Sequence, residues 1–192
     1  TGRQVQVAAA QQGTPAVLEL GGKDAAVVLA DANISRAAHG ITWAAFAFAG
    51  QNCAAVERCY VHRSIFDDFV EAVRTRTEAL RPGIDIGPLV TQAQFSVVQA
   101  HLAQALEAGA RVVASSGEVG PGFFHPPTVL VDVPAHVRLM TEETFGPLLP
   151  IIPFDDLDTI ADQVNNTDFG LTTSVWTADT ALGEALAEQF DC

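Results

Sequence analysis

At two places in this chain a reactive side chain stands beside glycine, and each arrangement is one that chemistry uses. The first is Gly50-Gln51-Asn52-Cys53, in a loop between an Ala- and Phe-rich segment and an apolar strand. A thiol in an accessible loop with polar backbone nearby suits a nucleophile, since the thiolate is the reactive form. The same residue also fits the commoner fate of a free cysteine, a small buried hydrophobe. Cys59 falls inside an apparent strand and Cys192 at the chain end, so neither competes with Cys53. The second place is Leu18-Glu19-Leu20-Gly21-Gly22-Lys23, where a carboxylate at a strand end precedes a glycine pair. Glycines there let the backbone approach a ligand closely, because no Cβ intervenes. On the segment alone, a strand followed by a tight turn, with Glu19 merely solvated, is the commoner arrangement, since glycine turns are frequent. Lys23, the only lysine, reads as a solvent-facing or turn-stabilising charge. The five histidines lack ligand spacing and are given no metal or base role.

The elements that must position these groups alternate between helix and strand. Residues 3–10 read as a helix, Ala16 to Leu20 as a short apolar strand, and Val27 to Leu29 as a second strand. Ile34 to about Ala49 is expected to be a helix buried on most sides, stopped at Gly50. Arg58 to Val61 follows as a strand. Ser64 with Asp67, and Thr91 with Gln94, resemble capping boxes opening helices that end near Leu80 and Gly109. Strands are expected at Arg111–Ala114, Thr128–Val131, Leu149–Ile152 and Thr172–Trp176, with a glycine-rich loop over 117–122. Helices are expected near Leu157–Val164 and at the end of the chain. This alternation predicts an α/β fold, an open and largely parallel sheet flanked by helices.

Composition narrows the partners. The chain has 192 residues, 48% of them hydrophobic, and a formal net charge of -13. That charge argues against a nucleic-acid partner, because phosphate binding needs clustered Lys and Arg. No apolar run reaches the roughly 18 residues of a membrane span, and no basic start with an apolar core suggests a secretory leader. Three cysteines at irregular spacing predict neither a disulfide framework nor structural zinc, and so a reducing, cytoplasmic compartment. The chain starts with Thr, which leaves room for a piece of a longer protein.

Taken together, the two segments resemble the signatures of the aldehyde dehydrogenase superfamily. Its ELGGK-type motif matches Glu19 to Lys23, its G-Q-x-C motif matches Gly50 to Cys53, and its arginine five residues past the cysteine matches Arg58. A third motif, E-E-x-F-G-P, matches Glu142 to Pro147. Smaller pieces, such as Gly87-Pro88-Leu89-Val90 and Phe169-Gly170-Leu171, extend the resemblance over nearly the whole chain.

The resemblance implies oxidation of an aldehyde to a carboxylic acid with NAD or NADP. Cys53 would be the nucleophile and Glu19 the base that activates water for thioester hydrolysis. The backbone N–H of Cys53 would help hold the oxyanion. Glu143 would bind the nicotinamide ribose, Phe145 would lie on the nicotinamide side, and backbone at Leu20 and Gly21 would lie close to it. Gln94 also matches a position near the ribose, although capping explains it as well. Glu57 and Arg58 are expected behind the nucleophile loop as structural contacts. Residues 1–20 would be a remnant of the nucleotide-binding domain, with Gly2 ending its glycine motif, and 21–192 most of the catalytic domain. The whole enzyme would be a homo-oligomer acting on a small aldehyde. Two alternatives stand beside this: a CoA-acylating semialdehyde dehydrogenase, against which Glu19 argues, and a non-catalytic domain, against which Cys53 and Glu19 argue.

Overall fold

The computed structural model describes residues 1–117 and 120–192. Among the described residues, six strands form one sheet: β1 (Ala25–Val28), β2 (Arg58–His62), β3 (Arg111–Ser115), β4 (Thr128–Val131), β5 (Leu148–Phe154) and β6 (Thr173–Trp176), in the order β3-β4-β5-β2-β1-β6. All neighbours are parallel except β3, which runs antiparallel to β4 with an irregularity between Val112 and Ala114. The expected open, largely parallel sheet is therefore the observed one. Strands β1 and β4 are buried along their whole length, which matches their unbroken Ala/Val/Leu/Thr runs. A parallel strand covered on both faces has no solvent side for polar residues to occupy.

The helices are α1 (Gly2–Gln11), α2 (Ile34–Phe46), α3 (Phe66–Glu78), α4 (Gln92–Glu107), α5 (Arg138–Thr141), α6 (Leu157–Asn165) and α7 (Thr180–Ala187). Ile41 and Phe46 from α2, Phe69 and Val73 from α3, and Ile151 from β5 are fully buried in the common core. The glycine-rich loop expected over 117–122 lies partly outside the described residues.

Several local expectations give way to tertiary context. Ala16–Leu20 forms no strand; Val17 is 93% exposed. A strand exists by pairing its backbone N–H and C=O groups with a neighbour, and no described segment pairs with this one. Helix α2 is buried on one face only, through Ala37, Ala38, Ile41, Thr42, Ala45 and Phe46, while Trp43 is 69% exposed. It also stops earlier than expected, at Phe46. The Ser64 capping box is absent, because His62 takes the role: its Nδ1 accepts from the Ser64 N–H at 3.2 Å and opens a 3₁₀ turn over Arg63–Ile65. At α4 the cap is as expected, with Thr91 Oγ1 accepting from the Gln94 N–H at 3.1 Å. The short helix α5 is too brief to leave a periodic pattern in the sequence.

Candidate active site

Beyond Phe46 the chain turns through three consecutive left-handed residues, Phe48 (φ 54°), Ala49 (φ 59°) and Gly50 (φ 69°), before reaching Cys53. Left-handed backbone costs an L-residue about 1–2 kcal/mol, so Phe48 and Ala49 need support from elsewhere. Gln51 provides it. Its Nε2 donates to the carbonyls of Phe48 (3.0 Å) and Pro88 (3.2 Å), and its Oε1 accepts from the Val90 N–H (2.9 Å). Gly50 is required twice over: a Cβ there would stand 2.4 Å from the Gly146 carbonyl oxygen, in a conformation side chains rarely adopt. Beyond it, Asn52 Oδ1 accepts from the Ala54 N–H at 3.0 Å and closes a tight turn that leaves Cys53 exposed. The Cys53 thiol lies 3.7 Å from that same Oδ1. Cys59 is fully buried in β2, where burial pushes its thiol far up.

The glycine pair meets this loop from the other side. A Cβ on Gly22 would fall 2.6 Å from the Cys53 carbonyl oxygen, and one on Gly21 would fall 2.5 Å from Glu143 Oε1. Bare backbone is thus a steric requirement at Gly22, where the obstacle is main chain, whereas at Gly21 the obstacle is the movable end of the Glu143 side chain; the three motif segments converge here. The Gly22 N–H donates to Glu143 Oε1 at 3.1 Å, while Glu143 Oε2 takes no hydrogen bond among the described residues. Burial raises the Glu143 carboxyl above its usual range, and the Gly22 N–H partly opposes that.

Glu143, Gly21, Gly22 and Cys53 are therefore brought together. Phe145 is half-buried beside them, in left-handed backbone with φ 48°. Glu19 and Leu20 are exposed on the irregular segment leading to Gly21, and Glu19 makes no side-chain hydrogen bond among the described residues. Leu20 packs instead toward α1, where its side chain occupies the space a Cβ on Gly2 would need.

Beneath the site lies a buried polar cluster that motif reading assigned wrongly or only in outline. Lys23 is 1% exposed, not solvent-facing. Its Nζ donates to Glu57 Oε2 at 2.5 Å and to Thr144 Oγ1 at 3.2 Å. Burial holds the Lys23 ammonium below the usual lysine range, against the pull of Glu57. The Glu57 carboxylate also accepts from the backbone N–H groups of Thr144 (2.8 Å to Oε2) and Phe145 (2.8 Å to Oε1). Arg58 Nε donates to the Lys23 carbonyl at 2.9 Å and its Nη2 to the Val164 carbonyl at 3.0 Å. From the far side Gln94 Nε2 donates to the carbonyls of Thr144 (2.6 Å) and Phe145 (3.1 Å), so its role extends beyond the helix cap. The signal for this cluster was Glu57-Arg58 leading straight into an apolar strand, because charged residues are rarely buried unless paired.

The chain matches the model of the Aldehyde dehydrogenase family over residues 1–192. It is 40% identical to 4,4'-diapolycopene aldehyde oxidase of Methylomonas sp, covering 100% of this chain and 36% of that protein. It is 38% identical to succinate-semialdehyde dehydrogenase [NADP(+)] GabD of Escherichia coli (strain K12), covering 96% of this chain and 41% of the relative. Among solved structures it is similar to lactaldehyde dehydrogenase from Escherichia coli, with a TM-score of 0.91 at 34% identity over 99% of this chain and 42% of that one. The chain thus spans well under half the length of these relatives. A motif set that converges on one exposed cysteine and a family match along every residue lead to one conclusion: the chain belongs to the aldehyde dehydrogenase family.

Proposed function

We propose that this chain is the catalytic portion of a longer enzyme that oxidises an aldehyde to a carboxylic acid with NAD or NADP. The observation that carries the proposal is the meeting of exposed Cys53, the bare Gly21-Gly22 backbone and the Glu143 carboxylate in one place.

In this reading the Cys53 thiolate adds to the aldehyde carbonyl carbon and forms a tetrahedral adduct. The Cys53 backbone N–H donates no hydrogen bond among the described residues and is free to hold the oxyanion. Bound NAD or NADP supplies the two-electron acceptor. The residues present fit such a group: Gly21 is half-exposed backbone without a Cβ, Phe145 offers a ring, and Glu143 Oε2 is open to a ribose hydroxyl. Once the adduct is oxidised, Cys53 carries a thioester. Glu19, exposed and without a hydrogen-bonding partner among the described residues, takes a proton from water as that water attacks the thioester carbonyl. The acid leaves, and Cys53 is released as its thiol. The assignment of backbone at Leu20 and Gly21 to the nicotinamide side belongs to the same proposal.

Residues 1–20 would belong to the nucleotide-binding part of the whole enzyme, and 21–192 to its catalytic domain. The whole enzyme would act on a small aldehyde and form a homo-oligomer; that all three cysteines are free thiols suits a reducing, cytoplasmic setting. No helix among the described residues is long and apolar enough to cross a membrane.

Rapid mixing of the whole enzyme with aldehyde and cofactor tests the proposal. The parent should turn over steadily. Glu19→Gln should give a burst of reduced cofactor followed by turnover about 10²–10⁴-fold slower, because only the water step needs the carboxylate. Turnover that survives Cys53→Ser would overturn the nucleophile, and loss of the burst in Glu19→Gln with Cys53 still reactive would overturn the base.

A further inference from the structure

Four positions past Cys53, a single carboxylate joins three chain segments. Glu57 sits at the mouth of β2, 4% exposed, where a lone anion would be costly. Lys23 reaches it from the glycine-pair segment at 2.5 Å, and the backbone N–H groups of Thr144 and Phe145 reach it from the loop that carries Glu143. The Thr144 N–H is shared between both oxygens, at 3.1 Å to Oε1 and 2.8 Å to Oε2. Both oxygens must therefore accept. A carboxylate can do so, whereas an amide would present an N–H₂ to either Lys23 or the loop.

The consequence lies at the loop. Phe145 holds left-handed backbone at φ 48°, a conformation that L-residues keep only when their surroundings enforce it. The enforcing bond on its N–H comes from Glu57 Oε1, and those on its carbonyl side from Gln94. Released, Phe145 would relax, and Glu143 two residues earlier would lose its alignment with the Gly22 N–H.

We propose that Glu57 is a positioning residue: it couples the Cys53 loop to the Glu143–Phe145 loop and so sets where the nicotinamide end of the cofactor sits relative to the thiol. This rests on the functional reading above. Glu57 touches neither substrate nor cofactor; it acts through the backbone it holds.

The test compares the whole enzyme with Glu57→Gln and with the double variant Lys23→Met/Glu57→Gln. The double variant leaves no unpaired buried charge and keeps the comparison available if the single variant does not fold. Three readouts are needed: hydrogen exchange of the peptide spanning 142–147, binding of NADH and NADPH followed by their fluorescence, and the rate at which iodoacetamide labels Cys53. The expected result is exchange of the loop amides at least about tenfold faster, cofactor binding weakened about tenfold or more, and Cys53 labelling within about twofold of the parent. Unchanged exchange, or faster exchange with unchanged cofactor affinity, would overturn the inference. So would a matching loss of Cys53 reactivity, which marks general damage to the fold. A parent enzyme that binds neither cofactor would overturn the functional reading itself, whatever the variants do.

Discussion

Lys23–Glu57 and Arg63–Asp155 are ion pairs of the same length, 2.5 Å, but their side chains are 0% and 5% exposed in the first pair and 60% and 65% in the second. Burial, not distance, should decide what each contributes. In Lys23→Met the methionine fills nearly the same volume, yet Glu57 keeps a charge in a buried site. Its two backbone donors remain, but the counter-charge is gone. Breaking a buried pair by removing one partner costs about 3–5 kcal/mol. For a folding unit of 150–250 residues, 1 kcal/mol lowers the melting midpoint by about 2–4 °C, so the expected drop is about 6–20 °C. Arg63→Met should leave the midpoint where it was, since an exposed pair exchanges its partner for water at little cost. Adding Glu57→Gln to Lys23→Met should recover a large part of the loss, because no buried charge is left unpaired. Scanning calorimetry of the whole enzyme and its variants reads all four midpoints. Equal shifts for Lys23→Met and Arg63→Met would refute the argument from burial, and a double variant less stable than Lys23→Met alone would refute the argument from the unpaired charge.

Iodoacetamide should modify Cys53 well before Cys59, which is buried and held as a thiol; peptide mapping by mass spectrometry decides it, with Cys192 set aside as an exposed chain end. Gly50→Ala should lower the melting midpoint by several degrees, since the left-handed backbone alone costs an alanine about 1–2 kcal/mol and the new Cβ meets the Gly146 carbonyl; an unchanged midpoint would mean that the two loops do not press on each other. Because burial raises the Glu143 carboxyl, cofactor affinity should begin to fall, as pH is lowered, above the ordinary glutamate range near ~4.3. The sign is fixed by the proton: the protonated carboxyl is the form favoured by burial, and it loses acceptor strength toward both the Gly22 N–H and a ribose hydroxyl. The same raised value means that Glu143 favours folding below its unfolded-state pKa, and that this advantage is lost as pH rises through the folded one. Fluorescence titration of NADH across pH should show the acid limb in the parent and a flat profile in Glu143→Gln.

Much of this protein is written locally. The buried strands declare themselves as short apolar runs, β1 and β4 in particular, because a parallel strand covered on both faces carries no polar alternation. The Thr91 cap is equally local, since it needs only a hydroxyl three residues ahead of the N–H it accepts. The three motif segments that meet around Cys53 are contiguous, so residue type and order sufficed to pick them out before any contact was known.

Other features depend on what comes alongside. Ala16–Leu20 has strand composition, but composition cannot supply a neighbouring ladder, and without one the segment stays irregular and exposed. Helix α2 reads as continuing through Ala49, yet Phe48 and Ala49 turn left-handed because Gln51 binds the carbonyls of Phe48 and Pro88 and the N–H of Val90, a contact spanning 39 positions. Lys23 looked like a surface charge because lysine usually is one. Glu57, Thr144 and Phe145 make it a buried member of the site only because β2 and the loop before β5 come together beneath the glycine pair. Sequence order determined which groups are candidates for chemistry here. Long-range pairing of charge and backbone in a low-dielectric interior decided which groups hold them in place, and that depends on distances between segments far apart in the chain.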